Sequence, residues 1–375
     1  MTDTPQAMTY PHLAIFMSFS GQGGVEQMML NLMEAMIDRG VSIDLIAVNK
    51  TGFNLAERLP PQVKLIESRN KHSKTAILTL VGYLKQHQPK VLFVAKERGL
   101  QAALIAKALS RQKQLKISVR LGTNISAFLQ TKPPLIRLLR QSLSRWTLQG
   151  AHQIIAVSDG VAKDIISFLP CVKNRVHVIP NPVITPRFLT QPISTPSHPW
   201  LQNKSEPLIL AAGRLTQQKG FDCLLRAFAQ VNKTRPCRLI ILGHGALRDD
   251  LLALADMLQI REKIDLPGYI AGIWPYLSQA DLFVLSSRWE GSPNVLTEAL
   301  ALGIPVVATD CPSGPKEILQ QGRYGTLVPI DDDQALAQAM LQTLKNPLPA
   351  DTLKSAVSEY RSDLSAVRYL QIIHA

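Results

Sequence analysis

The stretch DLFVLSSRWEGSPNVLTEALALGIPVVATD, residues 281–310, contains in succession an apolar strand, a helix and a second apolar strand. Ser292 is a suitable N-cap residue for the helix, and Pro293 is a suitable first helical residue because its missing N–H would have no partner there. Gly303 follows the predicted last turn and can adopt the left-handed conformation that ends many helices. Parallel strands need a crossover of this kind, so the stretch predicts a βαβ unit of a parallel sheet.

The same alternation of apolar runs and amphipathic stretches covers the rest of the chain and restarts after residue 206. The segment from Pro180 to Pro207 carries seven of the 25 prolines, a density that neither a helix interior nor a central strand tolerates. We therefore predict an α/β protein with two doubly wound domains joined by an extended linker. The predicted parts are a first domain at 1–185, the linker at 186–206, a second domain at 207–359 and a final amphipathic helix at about 360–375.

The composition is that of an ordinary globular protein, with 46% hydrophobic and 18% charged residues. No apolar run reaches the roughly eighteen residues of a membrane span, and the first residues lack the basic start and cleavage site of a signal peptide. The four cysteines are scattered without a C-x-x-C pair, and no other motif has metal-ligand spacing. A cytoplasmic protein without a disulfide framework or a metal site is therefore expected.

The positive charge is concentrated in the first half of the chain. Residues 1–190 carry 24 Lys and Arg against 10 Asp and Glu, whereas the remainder carries 17 against 18. This asymmetry favours an anionic partner such as a lipid headgroup surface, a phosphorylated acceptor or nucleic acid, with an ordinary soluble basic surface as the alternative. No nucleic-acid-binding motif and no interleaving of basic and aromatic residues is present, so we predict that no nucleic acid is bound.

The stretch PPLIRLLRQSLSRWTL, residues 133–148, predicts a basic amphipathic helix within this half. Arg137, Arg140 and Arg145 stand among leucines, an isoleucine and Trp146. Such a helix suits an anionic membrane surface, which for a cytoplasmic protein is the inner face of the membrane. An ordinary core-packing helix with a solvated basic face explains the pattern equally well, so both interpretations stay open.

Two glutamates, Glu290 and Glu298, bracket the start of the helix in the opening stretch. Ligands of open α/β sheets bind beyond the carboxyl ends of the strands, where free N–H groups and the positive end of a helix dipole suit phosphate oxygens. Carboxylates at such a place are good acceptors for sugar hydroxyls, so the pair indicates a ligand with both phosphate and sugar. The alternative is that both glutamates only stabilise the helix dipole.

Three further loops follow predicted strands and carry residues suited to phosphate. GRLTQQKG, residues 213–220, offers Arg214 and Lys219, a planar fork and a point charge for a diphosphate. SGQGGVEQ, residues 20–27, and LGHGAL, residues 242–247, place glycines where the backbone can approach a ligand closely. Each loop alone is better explained by packing, but together they lie at strand ends that would face one cleft. The glycines concerned are Gly21, Gly23, Gly24, Gly243 and Gly245.

Four segments together resemble the retaining glycosyltransferases of the GT-B fold, specifically family 4. They are GRLTQQKGFDCLLRAF (213–228), LGHGALRDDL (242–251), DLPGYI (265–270) and WEGSPNVLTEALALGIPVVATDCPSGPKEIL (289–319). The E-x7-E spacing of Glu290 and Glu298 fits, and so do the GGVEQ segment and the final helix. The likeness covers nearly the whole chain and is looser in residues 50–190. It is strongest toward bacterial members that build surface polysaccharides or lipid-linked oligosaccharides.

The resemblance implies two Rossmann-like domains that face a central cleft. The N-terminal domain would bind the acceptor, the C-terminal domain would bind the donor, and the final helix would pack back on the former. Arg214 and Lys219 would grip the donor diphosphate, Glu298 would hold the ribose hydroxyls, and Glu290 would contact the transferred sugar. The residues expected to bind the donor are Gly23, Gly24, Gly243, Gly245, Tyr269, Ile270, Ser292, Asn294, Val295, Leu296 and Glu298.

One departure from the family pattern concerns the histidine that many members carry near the donor sugar. Here the strand LKISV leads into RLGTNIS, residues 120–126, which has no histidine. Asn124 is predicted to take its place. Arg120 and the turn with Lys96 and Glu97 are predicted to touch the acceptor or a phosphate, although Arg120 suits a simple salt bridge equally well. The predicted catalytic residues are thus Glu290, Arg214, Lys219 and Asn124.

The implied reaction moves a hexosyl or N-acetylhexosaminyl group from a nucleotide-sugar, favoured as UDP-linked, to a hydroxyl with retention at the anomeric carbon. No metal or other cofactor is expected, because cationic side chains and a helix N-terminus stabilise the leaving group. The acceptor would be a polysaccharide, or a polyprenyl-phosphate-linked or other lipid-linked sugar. Two alternatives stay open: a nucleotide-sugar 2-epimerase of the same fold, and a non-catalytic protein that binds anionic surfaces.

Overall fold

The computed structural model describes residues 12–19, 23–49, 57, 59–68 and 76–375, and Gly21 therefore lies outside the described residues. The chain forms two compact units. One holds the described residues up to Thr185 together with Tyr360–Ala375, and the other holds Pro186–Glu359. Each unit contains one fully parallel sheet with helices in the crossovers, as the alternating sequence pattern predicts.

The sheet of the first unit has seven strands in the order β3-β2-β1-β4-β5-β6-β7. The strands are β1 (Leu13–Phe19), β2 (Ile43–Asn49), β3 (Val63–Glu67), β4 (Val91–Val94), β5 (Lys116–Leu121), β6 (Gln153–Ala156) and β7 (Val176–Val178). The helices are α1 (Gly24–Ile37), α2 (Ile77–His87), α3 (Glu97–Ser110), α4 (Ile125–Gln130), α5 (Pro134–Gln149) and α6 (Asp159–Phe168). Central strands read as apolar runs because both faces of the sheet are covered: Val94 packs into one core cluster and Phe93 into the other.

The sheet of the second unit has six strands in the order β10-β9-β8-β11-β12-β13. The strands are β8 (Leu208–Ala212), β9 (Arg238–Leu242), β10 (Ile264–Gly268), β11 (Leu282–Leu285), β12 (Val306–Thr309) and β13 (Thr326–Val328). The helices are α7 (Pro186–Thr190), α8 (Pro199–Gln202), α9 (Phe221–Thr234), α10 (Arg248–Met257), α11 (Trp274–Leu277), α12 (Asn294–Ala301), α13 (Pro315–Ile318), α14 (Asp333–Lys345) and α15 (Ala350–Ser355). The predicted fold class, two doubly wound α/β sheets, is confirmed.

The last helix, α16 (Ser362–His374), packs within the first unit. Tyr369 is fully buried there, with its ring edge against Phe93 at 5.6 Å between centroids. The hydroxyl of Ser365 donates to the carbonyl of Pro180 at 3.0 Å, which ties the start of the helix to the chain after β7. The C-terminal residues are therefore part of the first core.

The proline-rich segment differs from the extended linker that we predicted over residues 186–206. It contains two short helices, and each begins at a proline, Pro186 and Pro199. A proline at the first helical position loses no hydrogen bond, so the same prolines that exclude a long helix permit these short ones. The ring of His198 accepts from the N–H of Trp200 at 3.2 Å and caps the second of them.

Candidate active site

The strand order of the second sheet reverses at β8, because β9 and β10 lie on one side of it and β11, β12 and β13 lie on the other. The loops that follow β8 and β11 leave the sheet side by side, because both strands are parallel neighbours. In open α/β sheets the crevice at such a switch point is the usual place for a ligand. These two loops carry Arg214 and Lys219 on one side and Glu290 on the other, so the structure brings together residues that are distant in sequence.

Lys219 and Glu290 form a buried ion pair in this crevice. The Lys219 Nζ atom lies 2.5 Å from the Glu290 Oε1 atom, and the two side chains are 16% and 8% exposed. The hydroxyl of Ser287 donates to the same carboxylate oxygen at 2.6 Å. The pairing was not predicted, because the sequence indicated separate contacts to the donor for the two residues. It explains how a carboxylate can be buried here, since an unpaired one would be costly to desolvate.

The loop after β8 approaches the loop after β11 so closely that Gly220 has no room for a side chain. Its φ is +59°, and a Cβ atom would lie 2.1 Å from the carbonyl oxygen of Ser286. The Ser286 hydroxyl in turn donates to the carbonyl of Lys219 at 2.8 Å. A glycine directly after Lys219 therefore sets the position of its short 3₁₀ turn, residues 217–219, against the neighbouring loop.

Arg288 holds the same two loops together through its side chain. Its Nε atom donates to both oxygens of Asp331, at 2.8 and 3.0 Å, and its Nη2 atom donates to Asp222 at 2.8 Å. Its Nη1 atom donates to the carbonyl of Gln217 at 2.7 Å, and its backbone N–H donates to the carbonyl of Gln218 at 2.7 Å. The two carboxylates hold the pKa of this guanidinium above its ordinary value. Arg288 thus fixes the turn with Lys219 relative to the loop with Glu290.

Sequence reasoning missed Arg288. An arginine in a loop reads as a surface residue, and its carboxylate partners lie 66 and 43 residues away. Its position in the sequence could have indicated a role, because it lies between a buried strand and Glu290, in a loop that was already predicted to bind a ligand. A second indication is visible only in the structure: Asp331, which accepts from Arg288, has a backbone φ of +60°, a conformation that non-glycine residues seldom adopt.

Helix α12 begins one residue later than predicted. Pro293 is the N-cap residue, with an extended backbone of φ −73° and ψ 103°, and Asn294 is the first helical residue. The prediction of Ser292 as N-cap was therefore wrong, because Pro293 supplies the extended N-cap conformation itself. The N–H groups of Leu296 and Thr297 donate to the carbonyl of Pro293, at 3.1 and 3.4 Å, and the positive end of the helix dipole at this N-terminus suits the oxygen atoms of an anion.

Glu298 lies in α12, one turn and a half inside the helix. Desolvation raises the pKa of its carboxyl group to about 7, and a hydrogen bond from the indole of Trp274 partly opposes this rise. The ring edge of Phe188 packs against Trp274 with 4.7 Å between centroids. Trp274 was not predicted as a site residue; it places a donor on the one carboxylate that the sequence assigned to ribose.

The glycines of the LGHGAL turn are needed for packing against the loop after β8. A Cβ atom on Gly243 would lie 1.9 Å from the carbonyl oxygen of Gly213, and one on Gly245 would lie 2.3 Å from that of Leu215. The N–H of Leu215 also donates to the carbonyl of His244 at 2.9 Å. Direct donor contact by Gly243 and Gly245 stays a prediction, and their established role is to hold the GRLT loop.

Two more predicted donor-site groups lie around these loops. Arg214 is exposed, as a residue that meets a ligand from solvent should be. Tyr269 is 40% exposed and its ring meets that of His244 edge-on at 6.0 Å. Ile270 is partly buried beside it. The prediction that Tyr269 and Ile270 line a base pocket stays a prediction.

In the first unit, Gly23 is the N-cap residue of α1 and Gly24 its first residue. Gly23 has φ −109°, which any residue adopts, and a Cβ atom there would make only ordinary contacts, with Glu26 at 3.6 Å. Local conformation therefore does not require glycine at this position. Approach of the donor to Gly23 and Gly24 stays a prediction.

Asn124 is the N-cap residue of α4. Its Oδ1 atom accepts from the N–H of Ala127 at 2.8 Å, and it is buried. Asp164 accepts from the N–H groups of Ile125 and Ser126, at 2.6 and 3.2 Å, at the same helix start. The structure therefore gives Asn124 a capping role, and its predicted catalytic role stays a prediction.

Arg120 is 3% exposed and points into the core of the first unit. Its Nη2 atom donates to the Oδ1 atom of Asn181 at 2.8 Å, and Tyr369 lies beside it. Burial lowers the pKa of its guanidinium. Its partner is an amide, and among the residues that the structure describes no carboxylate forms a salt bridge with it; contact of Arg120 with an acceptor or phosphate stays a prediction.

The predicted turn at Lys96 and Glu97 begins α3. Lys96 is its N-cap residue, and the carboxylate of Glu97 accepts from the hydroxyl of Ser144 on α5 at 2.5 Å. Acceptor contact by either residue stays a prediction. Within the described ranges, no three His, Cys, Asp or Glu side chains lie close enough to hold a metal ion, and no helix is both long and apolar enough to cross a membrane.

Two protein families match successive parts of the chain. The family described as Glycosyltransferase Family 4 matches residues 22–187, and the family described as Glycosyl transferases group 1 matches residues 206–346. An uncharacterized glycosyltransferase of Methanocaldococcus jannaschii, MJ1059, is 38% identical over 172 residues, which are 45% of this chain and 42% of that protein.

Two further relatives extend over almost the whole chain. The N-acetylgalactosamine-N,N'-diacetylbacillosaminyl-diphospho-undecaprenol 4-alpha-N-acetylgalactosaminyltransferase of Campylobacter jejuni is 27% identical over 355 residues, 92% of each chain. The solved structure of HepE from Anabaena in complex with UDP and glucose has a TM-score of 0.69 at 19% identity, and the match covers 97% of this chain and 96% of that one. The chain therefore belongs to the family 4 glycosyltransferases, is a glycosyltransferase and has the GT-B fold.

Proposed function

We propose that the protein transfers a sugar from a UDP-sugar, with retention at the anomeric carbon, to a hydroxyl of a lipid-linked or polysaccharide acceptor at the cytoplasmic face of a membrane. The observation that carries the proposal is the Lys219–Glu290 pair at the switch point of the second sheet, with Nζ and Oε1 2.5 Å apart. A cation and a carboxylate held together in a ligand crevice match a ligand that has both phosphate and sugar hydroxyls.

The leaving diphosphate would be stabilised by two cations and a helix start. A lysine ammonium has three N–H donors, and Glu290 occupies one of those of Lys219, so the others can reach a phosphate oxygen. Arg214 is exposed on the same loop and adds a planar fork. The N-terminus of α12, at Asn294 and Val295, adds backbone donors and the positive end of its dipole, whereas the N–H of Leu296, predicted to join them, donates to the carbonyl of Pro293 at 3.1 Å. These groups act on charge that grows as the bond to the sugar breaks, so we propose that transfer needs no metal.

Glu290 would position the transferred sugar rather than attack it. Its Oε1 atom is held by both Lys219 and Ser287, which fixes the carboxylate and lowers its reactivity as a nucleophile. The second oxygen is left to accept from a sugar hydroxyl. Retention would then follow from attack of the acceptor on the face that the leaving group departs from, with a donor phosphate oxygen as the proton acceptor.

Glu298 would hold the ribose as an ionised carboxylate. The pKa of about 7 means that the unliganded group is only partly ionised at neutral pH, and hydroxyl donors of a ribose would favour the ionised form. The indole of Trp274 would keep the carboxylate oriented in the meantime. Binding of the nucleotide should therefore release a proton near neutral pH.

The identity of donor and acceptor rests on relatives. HepE was solved with UDP, which supports a uridine nucleotide, and the Campylobacter jejuni relative by its name extends a sugar chain on diphospho-undecaprenol, which supports a polyprenyl-linked acceptor. A surface polysaccharide or glycolipid is the product class that this combination supports.

The test starts with donor recognition. We expect UDP and UDP-sugars, but not GDP or GDP-sugars, to raise the Tm of the protein, and we expect donor turnover to require an added acceptor. Lys219→Ala and Glu298→Ala should remove transfer, whereas Lys345→Ala, an exposed lysine at the end of α14, is the matched control. Turnover of the donor to an isomer without any acceptor would instead establish an epimerase.

A further inference from the structure

We propose that the exposed apolar stripe of α5 docks the first unit on an anionic lipid bilayer. The proposal names the surface by which the enzyme would reach the lipid-linked acceptor of its proposed function, and its evidence is separate from that function. The starting observation is that α5 turns its large apolar side chains to solvent. Between 43% and 71% of each is exposed. They are Leu135, Ile136, Leu138, Leu139, Leu143 and Trp146.

The arrangement reverses the usual amphipathic helix. Leu135, Leu139, Leu143 and Trp146 follow one another at intervals of four, four and three residues, which places them in one stripe along the helix. The side chains that α5 buries are instead Ser144, Thr147 and Leu148, on the opposite face. Α core-packing helix would bury its leucines, so the structure excludes the ordinary core-packing interpretation of the sequence.

The side that α5 turns to the protein is held by a polar contact with α3. The Ser144 hydroxyl donates to Glu97 of α3 at 2.5 Å, whereas the buried Thr147 hydroxyl is satisfied within α5 by the carbonyl of Leu143 at 2.6 Å. Rotating the helix to bury the leucines would break the first of these bonds. A contiguous exposed apolar surface of this kind marks a site where the protein binds another protein or a membrane.

The charge around the stripe selects the partner. Residues 101–150 carry nine Lys and Arg and no Asp or Glu. Arg145 is exposed on α5 at the edge of the stripe, next to Leu138 at the helical spacing, and Arg137 is exposed on the opposite face of the helix. Arg140 and Lys132 lie over the ring of Phe128, at 5.7 and 4.9 Å from its centroid.

A helix that carries an exposed apolar stripe, and whose charged residues are all positive, complements an anionic headgroup layer over an acyl interior. Leucines enter the acyl boundary, Trp146 suits the interface, and the arginines meet the headgroups. The rim of a protein–protein interface usually carries charges of both signs, so we assign the stripe to a bilayer rather than to a protein partner.

The experiment is sedimentation of the full-length chain with sucrose-loaded vesicles. Vesicles of neutral lipid are compared with vesicles that contain about a third of anionic lipid, at low and at physiological salt. We expect the protein to pellet with the anionic vesicles only, and more strongly at low salt. Emission of Trp146 should be quenched by brominated anionic lipid, and the quenching should be lost in Trp146→Phe.

Two variants separate the apolar and the charged contributions. Leu139→Ser with Trp146→Ser should lower the vesicle partition coefficient at least ~10-fold at either salt concentration. Arg137→Glu with Arg145→Glu should lower it most at low salt. The matched control is Leu78→Ser on α2, a leucine that is 75% exposed outside the stripe, and it should leave partition unchanged. All these side chains are exposed, so the Tm of each variant should stay near that of the wild type.

Three results would overturn the assignment. The first is a wild-type protein that stays in the supernatant with anionic vesicles at low salt. The second is equal partition of the Leu139/Trp146 variant and the wild type. The third is a wild-type dimer in vesicle-free solution that the same variant converts to monomer, because the stripe would then be an interface between copies. Donor-induced Tm shifts and transfer to a water-soluble acceptor need no vesicle, so failure of the proposed function would show there and failure of membrane docking would not.

Discussion

Replacement of Arg288 by alanine is expected to damage catalysis more than it damages folding. The arginine bonds Asp331 and Asp222 and the carbonyl of Gln217, and it thereby sets the turn with Lys219 against the loop with Glu290. In Arg288→Ala the two loops lose these bonds and keep the Lys219–Glu290 pair, the bond from the Gln218 side chain to the carbonyl of Trp289 at 2.8 Å, and their backbone and serine contacts. Lys219 and Glu290 can then shift relative to the N-terminus of α12.

The magnitudes follow from exposure and geometry. A buried hydrogen bond to a charged group contributes about 1.5–3 kcal/mol. Asp222 and Asp331 are 34% and 51% exposed, so solvent screens much of this and about 2 kcal/mol of unfolding free energy should be lost in total. A displacement of ~1 Å at a catalytic group costs about 100-fold in rate, so kcat/KM should fall about 10- to 100-fold. Arg288→Lys should retain only part of the kcat/KM that Arg288→Ala loses, because a lysine cannot bond two carboxylates and a carbonyl in one plane.

The assay compares kcat, KM for the donor and Tm, at a temperature where every variant is fully folded. Arg226→Ala is the matched control: Arg226 bonds the same Asp222 at 3.0 Å from α9 but touches neither loop. We expect it to change Tm slightly and kcat not at all. A kcat/KM of Arg288→Ala within about twofold of the wild type, with only Tm lowered, would show that the arginine supports the fold alone and would refute the positioning argument.

Three further predictions concern the donor site. Burial raises the pKa of Glu298 from its ordinary 4.5 to about 7, so the neutral carboxyl contributes full stability below pH 4.5 and that contribution is lost as the pH rises through 7. Glu298→Gln should therefore raise the Tm relative to the wild type at pH 8 and leave it unchanged at pH 4. The gain in unfolding free energy at pH 8 should be at most about 3 kcal/mol, because the side chain is partly exposed. Gly243→Ala should lower the Tm and cost at least ~2 kcal/mol of unfolding free energy, because its Cβ atom would meet a carbonyl oxygen at 1.9 Å. The control Gly82→Ala, at an open position in the middle of α2, should raise the Tm slightly. Lys219→Ala should lower kcat/KM at least ~100-fold and destabilise the protein, and adding Glu290→Gln should restore the Tm but not the activity; recovery of both by the double variant would contradict the donor role of Lys219.

The fold could be predicted because its signals are local. Apolar strands and amphipathic crossovers repeat along the chain, and parallel strands joined in this way have few possible arrangements. The errors arose where proline permits more than one local structure. At Pro293 the choice between N-cap and first helical residue is a matter of one residue, and between 186 and 206 the prolines start two short helices instead of preventing them.

The candidate site could be predicted only in its residue types. Arg214, Lys219 and Glu290 were found because loops at strand ends carry ligands, but which side chains meet depends on the order of the strands in the sheet. The pairing of Lys219 with Glu290 and the role of Arg288 both cross from β8 to β11 and have no local signature. In the first unit the same limit appears as capping: Asn124 looked like a histidine substitute, and its oxygen is used by the helix that it starts.

The Lys219–Glu290 pair also constrains how the donor can be attracted. With the pair formed, the two buried charges cancel, so the crevice itself presents little net field to an approaching diphosphate. The exposed Arg214 and the N-terminus of α12 are then the groups that meet the nucleotide first, and Lys219 contributes only after its phosphate is within hydrogen-bond distance. Loss of Arg214 should accordingly appear in the affinity for the nucleotide, whereas loss of Lys219 should appear in kcat as well. Lys219 therefore stays paired with Glu290 in the absence of donor, and it stabilises the diphosphate only when a phosphate oxygen binds beside the carboxylate.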